Sequence, residues 1–203
     1  AAGVTDSVAP GLDELGVLLP YAPLHHLLFA ALADGAPGAP VVLVMTSGNQ
    51  SGEPLCHRDD DAKARLGGLA DAFLTHDREI AVPVEDSVVA WSDDVGPVPI
   101  RRSRGFAPLP VDLLPVGPSG DAPARGPVVL AAGAELKNTV ALVRGGRAHV
   151  SAHVGDLESL ASREAHQRVT DQLLGFHRSR PDLLVADLHP GYASRAWAQQ
   201  QAT

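Results

Sequence analysis

Residues 115–126, PVGPSGDAPARG, place Pro or Gly at half of their positions and carry no large apolar side chain after Val116. An ordinary helix or central strand cannot form there: proline lacks the backbone donor both need, and glycine has the most conformational freedom to lose. The stretch reads as a linker or long loop, so apolar side chains must be buried on either side of it. The chain is therefore expected to fold as two segments, 1–114 and 127–203. At 203 residues and 45% hydrophobic, it can bury a real core, in one large domain or two modest ones.

In the first segment, helical periodicity predicts a helix over Leu18–Ala33, with Pro20 and Pro23 near its start and Gly35 as a stop. Leu24, Leu27, Leu28, Ala31 and Leu32 lie along one side. A buried strand is expected at Val41–Met45, and one of Asp59, Asp60 or Asp61 should cap a helix running to about Leu69. Strands are expected at Ala72–Thr75, Ser87–Trp91 and Pro99–Arg102. In the second segment, strands at Val128–Ala132, Thr139–Val143 and Arg147–Val154 are joined by the turns Gly133–Asn138 and Gly145-Gly146, the latter a strong hairpin signal. Asp156 should cap a helix with apolar face Leu157, Leu160, Ala161, Ala165, Val169, Leu173 and Phe176, ended by Pro181. A last strand, Leu183–Leu188, runs into His189-Pro190. The fold class is α/β. Three antiparallel strands, a crossover helix and a further strand make the opening of an actin-like nucleotide-binding lobe.

A formal net charge of −8 argues against a general nucleic-acid or membrane-surface binder, since phosphate-rich partners reward surplus Lys and Arg. One cysteine, Cys56, rules out an intrachain disulfide or a multi-cysteine zinc site and suits a reducing compartment. No apolar run nears the ~18 residues of a bilayer span, and the chain is expected in the cytoplasm. Its opening on Ala1 and its stop at Thr203, soon after a strand, suggest a piece cut at both ends.

Four stretches could carry chemistry. In TSGNQSG, 46–52, a strand delivers three hydroxyls, a carboxamide and glycine amides to its C-terminal end, where ligands sit in open α/β sheets. The stretch is either a cradle for phosphate or acyl oxygens, or an Asn/Gly/Ser-rich surface turn. In IRRSRGF, 100–106, Arg102 and Arg104 share one face of an extended segment. They are either a phosphate clamp with planar, bidentate donors or a charged edge strand. GAELKNT, 133–139, offers a turn's amides and Lys137, to an anion or simply to water. His149 and His153 are four apart, but on a strand that is ~13 Å, against ~2.1 Å for each zinc–nitrogen bond. They are not a metal pair. His25-His26 point about 100° apart on a helix and are no better.

Taken in order, LGVLLPYAPLHHLLF, VMTSGNQSGEP, DAFLTHDREI, EDSVV, RRSRGFAPLP, AAGAELKNTVAL, HVSAHVGDLESL and DLHPGYASR resemble the HypF carbamoyltransferase family of hydrogenase maturation over nearly the whole chain. The resemblance implies that residues 1–114 are the later part of a YrdC-like carbamoyl-adenylate-forming α/β domain. Residues 115–126 would be a linker, and 127–203 the start of a carbamoyl-transfer domain of the actin-like ATPase (RNase H-like) class. It further implies that carbamoyl phosphate and ATP, with Mg, give carbamoyl adenylate, and that the carbamoyl group passes to the C-terminal cysteine of the acceptor HypE. Thr46, Ser47, Asn49 and Ser51 would cradle the nucleotide and carbamoyl adenylate, with Arg102 and Arg104 countering its charge. Lys137, Asn138, His153 and Asp156 fall in blocks that line the transfer site.

Departures accompany the likeness. Pro83, Val84, Glu85 and Asp86 stand where the family often has an arginine and paired aspartates. The family's acylphosphatase and zinc-finger regions, the early YrdC-like part and the HxxxH metal motif after DLHP are absent from these residues, so a transfer-domain metal is expected only in a full-length protein. Two other enzymes are alternatives: a natural-product O-carbamoyltransferase, which joins the two domains in the reverse order, and a one-domain threonylcarbamoyl-adenylate synthase. A non-catalytic nucleotide-binding remnant is a third.

Overall fold

The computed structural model describes residues 7–113 and 126–201. Residues 115–125 of the expected linker lie outside the described residues. The chain forms two compact units, Ala1–Thr46 and Ser47–Thr203.

In the first unit, helix α1 spans Pro23–Gly35. It begins later than the apolar periodicity predicts because Pro23 occupies the first helical turn and holds Ala22 extended, at φ −107° and ψ 148°. No residue of α1 is buried, and Leu24 and Leu27 are exposed. The strand expected at Val41–Met45 does not form. Val42 is 79% exposed, and among the described residues no neighbour supplies the ladder that an extended apolar run requires to be a strand.

The second unit opens with helix α2, Asp59–Leu66. Its N-cap is Arg58, with no side-chain cap, so none of Asp59, Asp60 and Asp61 caps it. The three carboxylates instead occupy the first turn and Lys63 and Arg65 the last, complementing the helix dipole. Ala72–Thr75 forms no strand. Strands β1, Val88–Ser92, and β2, Gly96–Arg101, make an antiparallel hairpin from Val88↔Arg101 to Ser92↔Gly96.

A five-stranded sheet follows. β3 is Val111–Asp112, β4 Val129–Ala131, β5 Ala141–Arg144, β6 Arg147–Val150 and β7 Leu183–Val185, in the order β3-β6-β5-β4-β7. Gly145 and Gly146 take φ of +54° and +74°, the positive pair that a two-residue hairpin turn needs, and set the β5–β6 register. β4 and β7 are parallel, joined across helix α3, Leu160–His177, and helix α4, Ala193–Gln201, follows β7. Leu130, Val140, Leu142 and Leu173 form the core between sheet and α3, with Val128, Leu174, Leu184 and Trp197 packed against it.

α3 corrects two expectations. Ser159, not Asp156, is the N-cap, accepting from the Ser162 amide at 3.0 Å. The buried residues are Ser162, His166, Thr170 and Leu173, while Leu160 and Phe176 are 70% and 74% exposed. Hydropathy misplaces the face because the buried polar groups have internal partners: His166 Nε2 lies 2.9 Å from the Ala132 carbonyl, and Thr170 Oγ1 donates to the His166 carbonyl at 2.8 Å. The helix ends at His177 with Arg178 left-handed, ahead of Pro181, and Arg144 donates to the His177 carbonyl at 2.8 Å.

Candidate functional site

Thr46 closes the first unit and is exposed. In the second unit, the turn from Ser47 is built around Asn49. Ser47 Oγ donates to Asn49 Oδ1 at 2.5 Å, and Asn49 Nδ2 donates to the Gln50 and Glu53 carbonyls at 3.0 and 2.9 Å. Asn49 therefore shapes the turn, while Ser47 and Ser51 remain exposed on its surface. Arg65 of α2 braces the turn from behind through Glu53 and through Asp61 at 3.0 Å, and Gln50 Nε2 reaches the Arg65 carbonyl at 2.9 Å. Composition does not single out Arg65 and Glu53, which lie twelve positions apart.

The arginines part company. β2 ends at Arg101, so strict alternation lapses just where the pairing of Arg102 with Arg104 relied on it. Arg102 turns to the five-stranded sheet, donating to the Val150 carbonyl at 3.1 Å, to that of Phe106 at 2.8 Å and to that of Leu109. Arg104, half exposed, donates to the Val84 carbonyl at 3.2 Å and pairs with Asp86 at 3.1 Å. Arg101 pairs with Glu85 at 2.6 Å. Ser87 ties the two segments, donating to the Arg104 carbonyl and accepting from the buried Ser103 amide, both at 2.8 Å.

The loop between β4 and β5 is tightly fixed. Gly133 has φ +74°, and a Cβ there would lie 2.3 Å from the Thr139 carbonyl oxygen. Asn138, buried, donates from Nδ2 to the Ala132 and Ala134 carbonyls at 3.0 and 2.6 Å. Lys137 is left-handed at φ 49°, its amide held by Asp156 Oδ1 at 2.7 Å, which is where the carboxylate expected to cap α3 is used. Glu135 Oε2 accepts from the Ala193 amide at the start of α4, at 2.6 Å.

His153 lies in the irregular segment that follows β6, hydrogen-bonded to this loop through Val154 N to the Asn138 carbonyl at 2.8 Å. Burial is the main influence holding its imidazole below the ordinary histidine range; Glu85 and Asp156 oppose, while Arg101 and Lys137 assist. Lys137, Asn138, His153 and Asp156 thus form one cluster, and Glu85 and Arg101 from the other side of the linker act on it. Among the described residues no three His, Cys, Asp or Glu side chains are grouped so as to hold a metal ion.

Comparison with known proteins matches each half. Residues 1–103 fit the family model described as Telomere recombination, the Sua5/YciO/YrdC family, and residues 124–203 fit that described as the HypF Kae1-like domain. The chain thus joins a YrdC-like α/β region to the beginning of an actin-like, Kae1-type domain. Carbamoyltransferase HypF2 of Cupriavidus necator is 46% identical over 96% of the chain and 24% of its own length. Carbamoyltransferase HypF of Rhizobium leguminosarum bv. viciae is 42% identical over 92% and 23%. A crystal structure of HypF from T. kodakarensis superposes with a TM-score of 0.83 at 34% identity, over 97% of this chain and 24% of that one. One of full-length HypF in a phosphate- and nucleotide-bound form gives 0.78 at 34%, over 93% and 27%. The chain belongs to the HypF carbamoyltransferase family. It spans about a quarter of the length of the relatives it matches.

Proposed function

We propose that these residues serve a carbamoyltransferase of nickel-iron hydrogenase maturation. It makes carbamoyl adenylate from carbamoyl phosphate and ATP and passes the carbamoyl group to the C-terminal cysteine of a HypE-type acceptor in the cytoplasm. One observation carries the reading: a YrdC-like region precedes a HypF Kae1-like region, and a HypF solved with phosphate and nucleotide superposes on 93% of the chain. The order also disfavours the O-carbamoyltransferase alternative. Residues 1–114 would supply adenylate formation, and 127–203 part of the transfer site. Ser47 and Ser51 would offer hydroxyls to the anionic ligand on a turn shaped by Asn49, and the half-exposed Arg104 would counter its charge. Arg102, turned to backbone carbonyls, would hold that segment in place.

Adenylyl transfer is governed by positioning and charge stabilisation and needs no protein nucleophile. In a full-length HypF carrying this segment, Ser47→Ala, Asn49→Ala and Arg104→Ala are each expected to cut carbamoyl-phosphate-dependent exchange of pyrophosphate into ATP by ~10²-fold, the effect of losing one positioned polar contact. Near wild-type exchange in all three would sink the assignment.

A further inference from the structure

We propose that the transfer site is composite: His153 accepts the proton of the acceptor thiol, and the Glu85–Arg101 ion pair, from before the linker, positions it. The proposal rests on the carbamoyl-transfer reading above. His153 is half-buried, and among the described residues neither ring nitrogen makes a hydrogen bond. On one side the loop between β4 and β5 is fixed to the segment that carries His153 by Asn138 N to the Gly155 carbonyl at 2.9 Å and Lys137 N to Asp156 Oδ1 at 2.7 Å. On the other side, Arg102 grips the Val150 carbonyl at 3.1 Å, three residues before His153. That contact holds the end of β2 against β6, and Arg101 and Glu85, paired at 2.6 Å, are among the charges that act on the imidazole. Structural histidines are usually hydrogen-bonded, as His166 is to Ala132. An imidazole kept below the ordinary histidine range, with no hydrogen bond from its ring among the described residues and with Glu85, Arg101, Lys137 and Asp156 acting on it, has the makings of a general base.

The step balances. The thiol proton moves to an imidazole nitrogen as sulfur bonds the carbamoyl carbon; the bond from that carbon to the phosphate oxygen breaks, and AMP leaves with the electron pair. The imidazolium then returns the proton to water. Nothing is oxidised or reduced.

The ion pair is assigned a positioning role, and its two members should act oppositely on the proton affinity of His153. In a full-length HypF carrying this segment, His153→Gln is expected to lower carbamoylation of a cysteine-terminated acceptor ~10²-fold, in the range of general-base loss, and leave pyrophosphate exchange within a few-fold. Glu85→Gln should move the acid limb of the transfer pH profile to lower pH, and Arg101→Gln to higher pH. In parallel, ¹⁵N-imidazole NMR of this chain should show the His153 titration midpoint falling in Glu85→Gln and rising in Arg101→Gln. Unchanged transfer in His153→Gln, loss of exchange together with transfer, or unmoved midpoints would each overturn the proposal. Absence of exchange in the unaltered protein would instead refute the adenylate-forming reading, and the NMR arm would still decide whether the ion pair acts on His153.

Discussion

Arg102 and Arg104 are two residues apart and chemically identical, yet the fold gives them different work. Arg102 bonds three backbone carbonyls, and burial opposes its charge, whereas Arg104 stays half exposed beside Asp86. Arg102→Lys removes the planar fork and leaves carbonyls without donors, which typically costs about 1–3 kcal/mol. Arg104→Lys should cost under about 1 kcal/mol, as exposed pairs do. Urea unfolding of the two variants checks the contrast, and equal midpoints would contradict it. The sequence shows the residue types plainly but not where the strand stops, and alternation carries meaning only while the ladder lasts. The surroundings of His153 are not legible in any local pattern, because Glu85 and Arg101, which act on its charge, lie more than fifty positions away.

At the level of elements, the β5–β6 hairpin was fully legible because Gly145 and Gly146 are a local device that fixes turn and register together. Helix α3 was legible in extent but not in facing, since its buried stripe is largely polar and the satisfying carbonyls belong to other segments. Its far end meets β6 through His149 and His177, whose rings lie 4.0 Å apart. Burial foremost, aided by Arg144, holds both imidazoles below the ordinary histidine range. The unfolded chain therefore binds more protons than the folded one. The stabilisation is complete above about 6.5, the unperturbed histidine value, and is lost as pH falls through the lower folded values. Thermal unfolding between pH 7 and 5 should show a declining midpoint, and His149→Leu should flatten the decline; an unchanged slope would show that the pair does not contribute. Ser159→Ala, removing the α3 cap, is expected to cost about 1 kcal/mol by urea unfolding at any of these pH values.

For the whole molecule, the composition break at 115–126 suggests where a protease should cut first: mild digestion is expected to nick there before the Ser47–Ser51 turn. Early cleavage at the turn would mean that the Asn49 bonds do not hold it. Yet a line drawn at that break misplaces one strand. β3 precedes the break and lies outside both matched ranges, but Val111 and Asp112 pair with Ala148 and Arg147 of β6, and Arg147 reaches Asp112 at 2.9 Å. Severing the gene at the obvious seam would strip the second half of its selvedge. A piece starting at residue 127 would carry β6 as a raw hem, with amides and carbonyls open to whatever strand comes by, including the same hem on another copy. Such a piece should self-associate in sedimentation runs, and restoring residues 108–126 to its front should return it to a monomer.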